Sequence, residues 1–129
     1  VQSLIVNDQK FDVDNLTSFM LDFNGCHSLV SVSTQLFPTQ SVRITGTSGS
    51  LEVYIPFNMF NDVPAELRVV NGVGERIIET EAIDQYGCEF QAFTEAVISN
   101  DKAFFKMMET FSKRNQRIID SVFEKNINI

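Results

Sequence analysis

The chain has 129 residues, 43% apolar and 21% charged, and its ten Lys and Arg against 17 Asp and Glu give a net charge of −7. That length holds one hydrophobic core, and no apolar run approaches the roughly 20 residues that span a bilayer. An acidic chain without a basic run is poorly suited to neutralising phosphates, which argues against nucleic-acid binding; two cysteines, Cys26 and Cys88, do not make a disulfide scaffold, so a reduced, cytoplasmic setting is expected.

Val1 opens directly into a strand-like run to Val6, with neither an initiator methionine nor a signal peptide, and this reads as a segment of something longer. From Leu16 to Phe23 the residues alternate, with Thr17, Phe19, Leu21 and Phe23 on one side and Ser18, Met20 and Asp22 on the other. Asn24-Gly25 follows, and a type I′ turn needs positive φ at both of its central residues. A second strand then runs from Cys26 to about Thr34. The two-residue loop sets Phe23 against Cys26, Asp22 against His27, Met20 against Leu29 and Phe19 against Val30.

This register gathers Ser18, Met20, Leu29, Ser31 and Ser33 on one face and Phe19, Leu21, Val30 and Val32 on the other. The second set is the more apolar and is expected to meet the helices. The first is neither strongly charged nor apolar enough for a second core, and suits a two-fold contact between subunits. A solvated face with scattered apolar residues is the alternative.

Further on, Val42 and Ile44 alternate with Arg43 and Thr45, and Gly46-Thr47-Ser48-Gly49 turns the chain. Leu51, Val53 and Ile55 then share a face opposite Glu52 and Tyr54. Pro56 and Pro64 bound a loop, since neither can donate to a ladder. Strands near 65–70 and 75–83 flank Asn71-Gly72. No long crossover separates these runs, so the pairing is expected to be mostly antiparallel.

The last third changes period. Tyr86, Phe90, Phe93 and Val97 fall at helical spacing, predicting a helix from Gln85 to Ser99. Asp101 is the expected N-cap of a second helix with Phe104, Met108, Phe111, Ile118, Ile119 and Val122 on one stripe. Asn115 interrupts that stripe and suggests a break near Met107–Ser112. Strands first and helices last predict an α+β fold: a single domain over residues 1–129, with a mostly antiparallel open β-sheet and C-terminal helices packed on one face.

Catalytic signatures are sparse. His27 is the one histidine, which excludes a multi-histidine metal site, and it is expected to face Asp22 on a hairpin surface. The glycine-rich stretches 46–49 and 71–74 lack the following helix and lysine of a phosphate loop, and read as turns. Cys88 lies on the less apolar side of a helix start, where a thiol is more often inert than nucleophilic. Asp84 and Glu89 sit near a helix N-terminus, where carboxylates commonly serve the dipole. No catalytic, cofactor-binding or metal-ligating residue is assigned.

Three segments in order carry a resemblance: Phe19-Met20-Leu21-Asp22-Phe23-Asn24-Gly25, Arg43-Ile44-Thr45-Gly46-Thr47-Ser48-Gly49-Ser50-Leu51-Glu52, and Tyr86-Gly87-Cys88-Glu89-Phe90-Gln91-Ala92-Phe93 with Ser99-Asn100-Asp101 behind it. Together they resemble the C-terminal domain of the Gfo/Idh/MocA oxidoreductases, the glucose–fructose oxidoreductase and inositol dehydrogenase group. The resemblance implies a two-domain enzyme for sugars, polyols or related compounds. Its N-terminal Rossmann domain, outside this chain, binds NAD or NADP and supplies a catalytic lysine. The part seen here completes the substrate pocket, and its open sheet face makes a homo-oligomer.

The family's aspartate and histidine lie on a helix before these strands, so no catalytic residue carries over and no cofactor is expected on this segment alone. Tyr86 is the one position carried over, as a substrate-proximal phenol; it also begins the apolar stripe, and core packing is its competing role. The rival to an enzyme segment is a stand-alone binding or interaction module of similar build.

Overall fold

The computed structural model describes residues 1–125. In chain order its elements are β1 (Gln2–Asn7), β2 (Asp14–Asp22), β3 (His27–Ser33), β4 (Ser41–Gly46), β5 (Gly49–Tyr54), β6 (Glu66–Asn71), β7 (Gly74–Glu79), α1 (Gln85–Ser99) and α2 (Lys102–Glu124). They fall into two compact units, one of Val1–Phe37 with the chain from Asp101 onward, the other of Pro38–Asn100.

In the first unit β2 is the central strand, antiparallel to both β1 and β3. The β2–β3 register is the expected one, with Asp22 opposite His27, Met20 opposite Leu29 and Phe19 opposite Val30. Asn24 at φ 58° and Gly25 at φ 94° supply the turn, and the Phe23 N–H donates to the Cys26 carbonyl at 2.8 Å. β1 sets Ser3 against Phe19 and Ile5 against Thr17 on one face, and Leu4 against Ser18 and Val6 against Leu16 on the other.

The β1–β2 connection is organised by Asp8. Its carboxylate accepts the Lys10 and Phe11 N–H groups at 2.8 and 3.0 Å and the Gln35 amide at 2.7 Å. Those bonds, Gln35 foremost, hold the Asp8 carboxyl below its ordinary range.

α2 meets this sheet on the face of Ser3, Thr17 and Phe19. The Ser3 hydroxyl donates to the Val122 carbonyl, and Ser3, Thr17 and Val122 are buried. The face of Phe19, Leu21, Val30 and Val32 is thus the one α2 covers, whereas α1, expected on it as well, belongs to the other unit and leaves Phe90 and Phe93 exposed. Asp101 caps α2, its carboxylate accepting from the Ala103 and Phe104 N–H groups at 3.0 Å each. The helix does not break near Met107–Ser112 but runs unbroken from Lys102 to Glu124. Asn115 sits on an exposed position, where it disturbs no packing. Lys113 pairs with Glu109 and Gln116 with Asp120 one turn apart, supporting the helix through that stretch.

The second unit is an antiparallel meander in the order β4-β5-β6-β7. Val42, Val53, Leu67 and Ile78 form one cross-strand row, flanked on the same face by Ile44, Leu51 and Val69. The opposite face carries Arg43, Glu52 and Arg68 in register. Arg68 forks onto Glu75 through Nε and Nη2 at 2.8 and 2.9 Å, and its Nη1 lies 3.5 Å from Glu52. The forked bond raises the Arg68 guanidinium further and holds the Glu75 carboxyl below its usual range.

The antiparallel α+β class with C-terminal helices stands. The strands form two sheets, of three and four strands, rather than one. Between β3 and β4 the chain passes through Pro38, which has no N–H to offer a ladder. The last strand stops at Glu79, short of the expected residue 83, although the Thr80 N–H still donates to the Ala65 carbonyl at 2.9 Å.

Candidate functional site

The second unit brings polar, uncharged side chains together where α1 begins. Asp84 is the N-cap, its carboxylate accepting from the Tyr86 and Gly87 N–H groups at 3.1 Å each. That fixes the first turn and with it Gln85 and Tyr86. The Gln85 amide donates to the Phe57 carbonyl at 3.2 Å, and the Tyr86 hydroxyl donates to Asn58 Oδ1 at 3.5 Å. Tyr86 is 53% exposed, and Phe90, Phe93 and Val97 further along its stripe are at least as open.

The partner loop is held from the other side by Gln40. Its backbone carbonyl accepts the Ile55 N–H at 3.5 Å, and its side-chain oxygen accepts the Phe57 and Asn58 N–H groups at 3.3 Å each. Ile55 itself stands at φ 53°. A β-branched residue is a genuine outlier there, because its Cβ crowds the backbone in the left-handed region. This costly conformation turns the chain sharply out of β5 and into the loop that carries Phe57 and Asn58. The same loop encloses an apolar cleft of about 160 Å³ lined by Tyr54, Ile55, Met59, Phe60, Val63 and Pro64 among others.

Sequence reasoning singled out Tyr86 but missed Gln40, Asn58 and Gln85. The one available signal was the pair of prolines, Pro56 and Pro64, marking a long connection after β5.

In the first unit the five residues expected at a subunit contact share a face. Ser18 stands opposite Ser31, Met20 opposite Leu29 and Leu16 opposite Ser33. The Ser18 and Ser31 hydroxyls lie 3.0 Å apart, and Leu29 is 80% exposed. Ser33 is partly committed elsewhere: its hydroxyl donates to the Asn15 carbonyl at 2.7 Å and accepts from the Gln35 and Leu36 N–H groups. β1 adds Leu4 and Val6, both exposed, to this face.

The remaining reactive residues stay apart. His27 Nε2 lies 3.5 Å from Asp22 Oδ1 on the hairpin surface, and Cys26 and Cys88 are free and exposed. Among the described residues no group of three or more His, Cys, Asp or Glu is arranged to hold a metal, and no helix is long and apolar enough to cross a membrane.

No protein-family model and no curated protein sequence matches the chain. Solved structures do. The lysine-to-glutamate mutant of KijD10, a 3-ketoreductase from Actinomadura kijaniata in complex with TDP-benzene and NADP, matches with a TM-score of 0.89 at 17% identity, over 100% of this chain and 41% of that one. A tyrosine-to-phenylalanine mutant of the same ketoreductase, with the same ligands, matches with a TM-score of 0.73 at 17% identity, over 78% of this chain and 31% of that one. The open conformation of KijD10 itself, with the same ligands, gives a TM-score of 0.73 at 17% identity, over 78% of this chain and 32% of that one. The chain thus spans less than half the length of the ketoreductase it matches, and at this identity the likeness is one of fold: the chain is built like one portion of an NADP-holding 3-ketoreductase.

Proposed function

We propose that this chain is the substrate-side part of an NAD(P)-dependent oxidoreductase acting on a sugar, a polyol or a related hydroxylated compound. In this reading it adds a pocket wall and a subunit contact to a Rossmann domain elsewhere in the same protein. The observation that carries the proposal is the fold likeness, over 100% of the chain, to 41% of a ketoreductase holding NADP. The three sequence segments that resemble the glucose–fructose oxidoreductase and inositol dehydrogenase group support it independently.

The division of labour follows from what these residues can do. A nicotinamide cofactor held by the Rossmann domain would supply or accept the hydride. This chain holds the substrate in place, where orientation rather than new bonding lowers the barrier. The Tyr86 phenol accepts and donates hydrogen bonds without charge, which matches a carbinol partner. Dinucleotide binding needs a glycine turn opening onto a helix N-terminus. The glycine turns here, Gly46 to Gly49 and Gly72-Val73-Gly74, join strand to strand instead.

Titration calorimetry separates the parts. The isolated chain is expected to show no heat with NADP or NAD, whereas the full-length protein binds one of them at micromolar concentration. Micromolar binding to the chain alone, or none to the full-length protein, overturns the assignment.

A further inference from the structure

We propose that Asn58 is a positioning residue for Tyr86, and that the two form a recognition pair for adjacent hydroxyls of an uncharged, polyhydroxylated substrate. The proposal rests on the oxidoreductase reading above and names the chemistry its pocket wall recognises.

Geometry supports it. The Tyr86 hydroxyl and Asn58 Oδ1 stand 3.5 Å apart, at the outer limit of a hydrogen bond, and both side chains are exposed. A contact that long leaves the phenol oxygen able to accept and the amide nitrogen able to donate, so each group has capacity for a third partner. Hydrogen bonds of this kind in ligand-free sites commonly tighten when the complex forms.

The chain also goes to some length to put Asn58 there. Ile55 adopts the left-handed backbone that a β-branched residue resists, and Gln40 holds the Phe57 and Asn58 N–H groups. Gln85 binds the Phe57 carbonyl from the helix side. An outlier maintained by surrounding bonds at an exposed loop is a feature of built sites.

Charge selects the ligand class. Gln40, Asn58, Gln85 and Tyr86 are uncharged, and the neighbouring anion, Asp84, is turned onto the Tyr86 and Gly87 N–H groups. With no cation among these side chains, a carboxylate or phosphate gains nothing here, and a neutral carbinol face gains paired donors and acceptors.

The test has two arms. In the isolated chain, Raman spectra of the tyrosine ring doublet report whether the phenol donates a hydrogen bond. Asn58→Ala is expected to change the Tyr86 contribution, identified with Tyr54→Phe as background, and Asn58→Asp to retain it. In the full-length protein, steady-state kinetics are measured with NAD or NADP against aldoses, ketoses and inositols. Asn58→Ala and Tyr86→Phe are each expected to raise KM about tenfold with kcat within about twofold. The double variant is expected to be no worse than the weaker single one, and Asn58→Asp, which keeps the acceptor for the Tyr86 hydroxyl but loses the amide donor, to recover only part of the lost KM.

An unchanged doublet, an unchanged KM, or effects that multiply in the double variant overturn the positioning role. Wild-type protein that binds a nicotinamide cofactor but turns over none of the panel overturns the substrate reading beneath it, and the recognition role with it.

Discussion

Ser3 and Val122, 119 positions apart, are joined by a hydrogen bond from the serine hydroxyl to the helical carbonyl, and both are almost wholly buried, at 2% and 4% exposure. The bond ties the opening strand of the first unit to the last turns of α2. A buried hydroxyl without its acceptor is costly, so a serine at this buried position depends on this carbonyl. Ser3→Ala is expected to lower stability by about 1 kcal/mol, and Val122→Ala by about 2 kcal/mol through lost burial. Urea denaturation of the isolated chain measures both, and midpoints equal to wild type for the pair would remove this contact as the staple.

Gly49 is held to glycine by a neighbouring strand rather than by its dihedral angles. A Cβ there would come within 2.4 Å of the Val70 carbonyl oxygen and 3.1 Å of the Asn71 Cβ. The oxygen belongs to backbone in β6, so the strand itself must move. Gly49→Ala should therefore cost about 1–3 kcal/mol, the range for overpacking. At Gly46, by contrast, the nearest atom is the Gly49 carbonyl oxygen at 3.8 Å, an ordinary contact. Gly46→Ala is expected to be near neutral, and equal melting temperatures for the two variants would contradict the close approach.

The difference between these two glycines was invisible in Gly46-Thr47-Ser48-Gly49, because the clash comes from a strand some twenty residues further on. Where a feature depends on local chemistry, the sequence was informative. Asn24-Gly25 determined its own turn and hence the pairing of Met20 with Leu29, and Asp101 marked the start of α2. Where two distant segments must meet, it was not. The partnership of Tyr86 with Asn58 spans 28 positions and depends on an isoleucine in a conformation that its own side chain disfavours. Likewise, β1 reaches β2 through an irregular connection with a register shift at Val6/Asn7, so nothing local announced that Leu4 and Val6 would share the face of Ser18 and Met20. The continuity of α2 past Asn115 was missed for a different reason: periodicity registers a polar residue in a stripe but not the ion pair Glu109–Lys113 that supports the helix through it.

The Arg68–Glu75 fork makes a prediction about acid. The Glu75 carboxyl, ordinarily near 4.5, is lowered by the Arg68 hydrogen bonds. A carboxyl whose folded pKa lies below its unfolded value contributes stability above the unfolded value, and loses it as pH falls through the folded one. The contribution is thus complete above about pH 5 and fades below 4.5. Because both side chains reach solvent, it is small and weakened by salt. Glu75→Gln is expected to lower the melting temperature slightly at pH 7, and the deficit to shrink as the pH is taken below 4.5 towards 3. A deficit of equal size at both pH values would show that the side chain acts by packing and not by charge.

The last prediction concerns the uncovered face of the first sheet. With α2 on the side of Ser3, Thr17 and Phe19, the opposite side presents Leu4, Val6, Leu16, Met20 and Leu29 around the paired hydroxyls of Ser18 and Ser31. Leu29 at 80% exposure and Val6 at 52% lie two strands apart, so the apolar surface extends across the whole sheet rather than standing as an isolated spot. Charge on this face stands at the hairpin end, where Asp22 is opposite His27, and the middle of the face lacks the charges by which a solvated sheet usually resists association. An apolar patch continuous over three strands, centred on small polar groups that can pair with their own copies, is self-complementary in the way a two-fold contact requires. A second copy of the chain is therefore the proposed occupant. Light scattering of the full-length protein at tens of micromolar should give a dimer or larger assembly, and the Met20→Lys, Leu29→Lys double variant should shift it to the monomer. Circular dichroism at the same concentration checks that the variant keeps its fold, since both positions point away from the Ser3–Val122 contact. A monomeric wild type, or an oligomer that survives both lysines, would exclude this face as the contact.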